Sequence, residues 1–321
     1  MHRRGSFAFV AIGTVCLPSL AHGQFSDPRT YANTPADVNQ FELDYSHATA
    51  DDSIDRSLVI GGAHLEVNEA PLAYTRTFGI LRHLASIKVS VPFAYVGGSV
   101  AGTSLSRSVA GAGDASLQLT TLLVGGSALS VADFEEHEPR TTLGVSLTVS
   151  GPSGQYDPNT VLNLGSDRWS FTPEIGISHP FGADRKWVVD DYFHIEFFTD
   201  NTEYHGTEIL RQEALPGFET HISYNITPNL WASLDANYAF RGTTFVDAVD
   251  QNDAQKNSPS ALKRIGQSTP GTRSLLYSPN PCCTRMRRFS PRWRSSISTP
   301  GVAISRIRSR PGRWTGDNVG R

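Results

Sequence analysis

Between Leu143 and Phe198 apolar and polar residues alternate with a period of two. Leu143, Val145, Leu147 and Val149 interleave with Gly144, Ser146, Thr148 and Ser150, a spacing that only an extended strand resolves into two faces. After the loop Gly151-Pro152-Ser153-Gly154-Gln155-Tyr156-Asp157-Pro158 the alternation resumes. Trp169, Phe171, Ile175 and Ile177 fall on one side, and Ser170, Thr172, Glu174 and Ser178 on the other. An aliphatic face ending in aromatics, backed by small, polar or charged residues, suits a strand between lipid and a watery lumen.

The same period predicts nine strands. The first carries Phe41, Leu43 and Tyr45; the second Leu72, Tyr74 and Phe78, with Pro71 obscuring its start; the third runs from Ile87 to Tyr95 and the fourth from Leu117 to Leu123. Strands from Thr142 and from Arg168 follow, then Trp187 to Phe198, Phe218 to Tyr224, and Leu230 to Phe240. Asp191 breaks the apolar face of the seventh. Gln24 to Asn39 has no periodicity and reads as a lead-in. Ala48 to Ile60 and the Gly/Ser-rich stretch Gly97 to Gly113 read as exposed loops. Ser130 is placed to cap a short helix through Val131–Glu136, with an acid three residues on, in a turn on the periplasmic side.

These stretches resemble a known family. The run GPSGQYDP…LNLGSDRWSFTPEIGIS is similar to the signature of outer-membrane β-barrels of the "transporter" family linked to meta-pathway phenol degradation. Ala73-Tyr74-Thr75-Arg76-Thr77-Phe78-Gly79, Phe197-Phe198-Thr199-Asp200-Asn201 and Asn229-Leu230-Trp231-Ala232-Ser233-Leu234-Asp235 add to the likeness, which spans about residues 41–258. The resemblance implies an all-β, antiparallel transmembrane barrel of about twelve strands in the bacterial outer membrane. Its implied partners are outer-membrane lipid, the barrel assembly machinery and a small solute, with no cofactor.

The ends of the chain differ from this body. His2, Arg3 and Arg4 precede an apolar run from Phe7 to Leu20, too short to span a bilayer as a helix, and Ala21-His22-Gly23 offers small residues for cleavage before Gln24. Residues 1–23 are therefore expected to be a signal peptide, 24–257 an incomplete barrel, and 258–321 a tail rich in Arg, Ser and Pro. That tail holds Lys263 and twelve arginines against Asp317 alone, a net of +12, which leaves −15 on the rest of the chain. Its seven prolines in 64 residues argue against barrel strands. Nine strands is also odd where single-chain barrels are even. The expectation is a basic tail, either out of the family's frame from about Ser258, the favoured reading, or a natural disordered extension, that leaves the barrel unclosed and the chain non-functional as written.

Chemistry is sparse. The mature body has no cysteine, and Cys16, Cys282 and Cys283 lie in the signal and tail. No GxSxG elbow occurs, and Asp247, Asp250, Asn252 and Asp253 lack the glycine and final glutamate of a calcium loop. Catalytic and metal sites are thus not expected, nor is nucleic acid. Taking the apolar face as outward, Glu42, Asp44, Lys88, Glu174, His194, Glu196, Glu219, His221 and Asp235 point into the lumen and are the binding candidates. Trp169, Phe171, Trp187, Tyr224, Tyr238 and Phe240 read as an interfacial girdle. An acidic lumen favours cations and neutral solutes over anions. At this level the lumen could be a conduit or could be plugged by its own polar network. The rival classes are a barrel hydrolase and a protein that interacts through its basic tail.

Overall fold

The computed structural model describes residues 15–16, 26–51, 63–100, 106–160, 162–227, 230–251 and 260–267. In chain order the elements are β1 (Val15–Cys16), β2 (Asn39–Leu43), β3 (Tyr45–Asp51), β4 (Ala63–Ile80), β5 (His83–Val100), β6 (Ser106–Ala112) and β7 (Ser116–Val124). Then come α1 (Val131–Glu135), β8 (Thr142–Ser150), β9 (Ser170–Phe181), β10 (Trp187–Phe198), β11 (Asn201–Tyr204) and β12 (Glu208–Gln212). The last are β13 (Leu215–Thr227), β14 (Leu230–Ala239), β15 (Thr244–Val246), β16 (Val249–Asp250) and β17 (Ser260–Gln267).

From β3 to β17 the main sheet is antiparallel throughout, in the order β3-β4-β5-β7-β8-β9-β10-β13-β14-β17. β2 continues the line of β3 along β4, and β6 continues that of β7 along β5. β1 pairs in parallel with Tyr45 and Ser46 at the outer edge of β3. Among the described residues the sheet curves as a barrel wall whose end elements, β1 and β17, lie beside each other without a hydrogen-bonded ladder between them. Its connections alternate in length. The turns at Leu81–Arg82 and at 182–186 are short, and α1 lies at that same end, where Ser127 bridges to His83. At the other end β11, β12, β15 and β16 form a second, four-stranded sheet. Asp247 and Ala248 turn its last hairpin with φ of 48° and 65°, the left-handed pair that a tight hairpin demands.

Polarity is inverted relative to a water-soluble sheet. Along β9 every second residue is buried, and the buried set is Ser170, Thr172, Glu174 and Ser178 while Phe171, Ile175, Ile177 and Phe181 are exposed. The exposed band continues through Leu119, Leu147, Phe193, Phe218, Ile222 and Leu234. Burying polar groups while exposing large apolar ones is stable only with lipid outside.

Several boundaries differ from the sequence reading. The supposed loop Gly97 to Gly113 is largely a hairpin, with β5 running to Val100 and β6 returning from Ser106. β3 extends into the acidic stretch as far as Asp51. β4 begins at Ala63 and passes through Pro71, which lies opposite Pro92 of β5. Neither proline can donate, and the neighbouring lines break beside them: Asp44, between β2 and β3, donates to Pro71 O, and Gly113, between β6 and β7, to Pro92 O. Pro173, Pro180 and Pro216 also lie in strands. Proline is thus no bar to a strand in this sheet.

The largest correction concerns the tail. β17 pairs residue for residue with β14, from Asn237↔Ser260 to Leu230↔Gln267. It occupies the proline-free interval between Pro259 and Pro270, so among the described residues the antiparallel wall from β3 to β17 has ten strands, not nine, and continues past Ser258. Residues 268–321, and with them the expectation of a disordered tail, lie outside the described residues. The capped helix is found as expected, with Ser130 Oγ accepting from Asp133 N at 3.2 Å. Asp114 pins the loop after β8, accepting from the backbone of Ser153 (3.0 Å), Gly154 (2.8 Å) and Ser166 (2.8 Å).

Candidate functional site

Strand register stacks the inward residues into rows across the wall. Ser146, Glu174, His194 and Gly217 form one row. Gly144, Gly176, Tyr192 and Glu219 form the next, and Ser178, Asp190, His221 and Asp235 the third. All of them are buried. The charged members meet: His194 Nδ1 lies 3.2 Å from Glu219 Oε1 and 3.7 Å from Glu174 Oε2. His221 bridges Glu219 Oε2 at 3.4 Å and Asp235 Oδ1 at 3.0 Å. Five of the nine candidates, Glu174, His194, Glu219, His221 and Asp235, are therefore one network on β9, β10, β13 and β14.

The other four stand apart from it. Lys88 pairs with Glu42 and Asp27 at 3.0 Å each. Asp44 sits half-buried at the break between β2 and β3. Glu196 is buried further along β10, beside Ser170 and Arg168. Asp191 remains on the lipid side, opposite Ile177 and Thr220.

What covers the network is the aperiodic lead-in. Ser26 Oγ donates to both oxygens of Glu174 (2.8 and 3.0 Å), and Ser26 N to Glu219 Oε1 (3.2 Å). Arg29 N donates to Asp190 Oδ2, while its guanidinium donates to Ser223 Oγ and lies 4.6 Å from the centre of the Trp231 ring. Thr30 N donates to the Tyr192 hydroxyl at 3.2 Å. The Tyr31 hydroxyl reaches Ser146 Oγ (3.0 Å) and Glu174 Oε1 (2.8 Å), and Thr142 Oγ1 donates to its carbonyl. At the short-turn end Ala36 N donates to Leu129 O and Asp37 N to Thr77 O.

Tyr31 fits because the wall beneath it lacks side chains. Gly144 and Gly176 are cross-strand partners, and a Cβ on either would run into the Tyr31 ring. Tyr192 closes the pocket edge-on, with ring centroids 5.0 Å apart and planes at 71°. Gly217 does the same for His194, whose imidazole occupies the space of the missing Cβ. Tyr31 and Tyr192 are both fully buried.

Sequence reasoning overlooked Asp190, Tyr192 and Trp231, although each shares strand parity with a residue it named. Ser26, Arg29 and Tyr31 left no such signal, since an irregular segment has no period.

Residues 48–262 match the family described as "Putative MetA-pathway of phenol degradation", well over half the chain. This protein belongs to that family. The family match ends beyond Ser258, inside β17, in agreement with the extra strand. An outer membrane channel from Pseudomonas putida F1, 18% identical, superposes with a TM-score of 0.60 over 76% of this chain and 98% of its own. At that identity the likeness establishes the fold, which for this member of the family is the antiparallel barrel of an outer-membrane channel. No curated protein matches the sequence.

Proposed function

We propose that the protein is an outer-membrane channel for passive passage of small solutes, aromatic ones included, and that residues 26–38 close it at rest. The observation that carries this reading is a lipid-suited barrel wall whose lumen is filled by a segment attached through side-chain hydrogen bonds, with no strand pairing to the wall at Glu174. The solute class rests on the family's description. The acidic lining disfavours anions. Export through cleavage after Gly23 would place Gln24 at the mature N-terminus, two residues ahead of Ser26. Lipid and the barrel assembly machinery remain the expected partners.

A pore in lipid also needs its seam. A strand edge left in hydrocarbon costs several kcal/mol per unsatisfied group, so the chain as written is expected to conduct only if β3 and β17 are joined. The test is solute flux into liposomes. It compares the full chain with one whose residues after 258 are replaced by alternating strands ending in an aromatic, each with and without residues 26–38. Phenol flux should exceed benzoate flux and rise when residues 26–38 are removed from the closed form. Equal flux for both solutes, or no change on removal, overturns the reading.

A second reading is supported by the complete burial of Tyr31: a structural barrel whose lumen stays filled. It requires that the closed form with residues 26–38 passes no solute under any condition.

A further inference from the structure

We propose that Glu174, His194 and Glu219 form a binding site for one divalent cation of the zinc class, set in the lumen wall directly beneath Ser26. Each residue can offer one ligand atom, and the three atoms lie within 4.8 Å of one another. The separations from His194 Nδ1 are 3.7 Å to Glu174 Oε2 and 3.2 Å to Glu219 Oε1. A tetrahedral ion with bonds of about 2.0–2.2 Å holds its ligands roughly 3.3–3.6 Å apart. Both separations from His194 lie close to that range, and the two carboxylates, within 4.8 Å of each other, would close on the ion as it binds. One imidazole with two carboxylates suits zinc, manganese or ferrous iron, whereas calcium and magnesium prefer oxygen throughout.

Charge points the same way. The side chains of Glu174, His194 and Glu219 are 3%, 2% and 0% exposed, and buried carboxylates require compensation. Arg29, the sole basic residue between positions 26 and 38, is turned to Ser223 and Trp231. Lys88 is engaged by Asp27 and Glu42. The two glutamates thus share His194, and only Glu219 has a second imidazole, His221, beside it. Glu219 Oε2 and His221 Nε2 face each other at 3.4 Å, and neither makes a hydrogen bond. A dication would neutralise the pair and draw Glu219 into a fixed orientation, with the Asp235–His221 pair behind it as outer support. Ser26 Oγ, 2.8 Å from Glu174 Oε1, is at hand for a fourth position, which would tie the lumen segment to the ion. The three ligands sit on β9, β10 and β13, each paired on both sides, so the site does not depend on the seam.

The test uses the full, untagged chain in detergent, stripped with chelator and checked for β-structure by circular dichroism. On adding zinc, one tightly held equivalent per chain is expected, and cobalt(II) should give the visible absorption of a four-coordinate nitrogen–oxygen site. Glu219→Gln and His194→Ala should each weaken zinc binding at least about 10-fold, while Glu196→Gln, a buried carboxylate outside the trio, should not. If His194→Ala fails to fold, the isosteric Glu174→Gln and Glu219→Gln decide. No retained metal, or zinc held equally well by these variants, overturns the proposal and leaves the trio as an ion pair around a protonated His194.

Discussion

The hydroxyl of Tyr31 donates to Oε1 of Glu174 across 2.8 Å, joining residues 143 positions apart in the chain. The contact sets the lumen segment against the middle of the wall, above the Gly144–Gly176 pair that leaves room for the ring. Wall and segment are thus one packed unit.

Tyr31→Phe keeps the ring and removes the hydroxyl. Glu174 then loses a buried donor, a loss of about 1–3 kcal/mol. Urea unfolding followed by heat-modifiable gel migration should show the reduced midpoint, and an unchanged midpoint would mean the hydroxyl contributes nothing.

Gly176→Ala drives a methyl into the rings of Tyr31 and Tyr192. Overpacking of this kind costs about 1–3 kcal/mol. If Tyr31 is the obstacle, Gly176→Ala should cost much less in a Tyr31→Ala background than in the parent. Additive losses in that double-mutant cycle would show that the two residues do not meet.

Face assignment can be read by single cysteines once Cys16, Cys282 and Cys283 are removed. Position 175, exposed on the apolar side, should take a lipid-soluble maleimide and resist a water-soluble one, as should Leu147. Positions 174 and 196 should resist both, and 174 should become reactive to the water-soluble reagent when residues 26–38 are deleted. Water-soluble labelling of 175 as readily as 174 in the deleted form would reverse the register.

Asp167 tests the pinned loop after β8. Burial first, then the neighbouring Glu203 and Asp114 carboxylates, push its pKa above the ordinary aspartate range. A raised folded-state pKa adds stability below the ordinary value and loses it as pH rises through the raised one. At neutral pH the charge therefore works against the loop. Asp167→Asn, which tolerates the local φ of 53°, should slow proteolysis of the loop at pH 7. The benefit is roughly a few tenths of a kcal/mol after solvent screening and should vanish near pH 4. Faster cleavage at pH 7 would contradict it.

The seam is tested by closure. The chain as written should lack heat-modifiable, protease-resistant migration in lipid, and the chain with alternating strands after residue 258 should gain it. A compact, resistant form of the chain as written would mean that the seam is closed by Val15–Cys16, which pairs with β3 and lies beside β17, or by residues outside the described set.

The alternation of side chains determined by itself that the body is strand with one lipid-suited face. Parity alone assigned Glu174, His194, Glu219, His221 and Asp235 to the other face, while the antiparallel barrel was what the family resemblance implied. A period of two is local, and it suffices because each strand presents the same two environments along its length. Strand ends were less legible, since Pro71 looks like a breaker until its pairing opposite Pro92, beside gaps in the neighbouring lines, removes the need for the missing donors. β17 was missed for the same reason: Pro259 and Pro270 mask a short strand whose evidence is its register with β14. Only the tertiary structure decided that the lead-in segment lies against the inward face of the wall. Ser26, Arg29 and Tyr31 belong to an irregular segment whose side-chain hydrogen bonds go to distant residues. Nothing in their local spacing encodes the paired glycines, 113 and 145 positions on, that make the space they occupy.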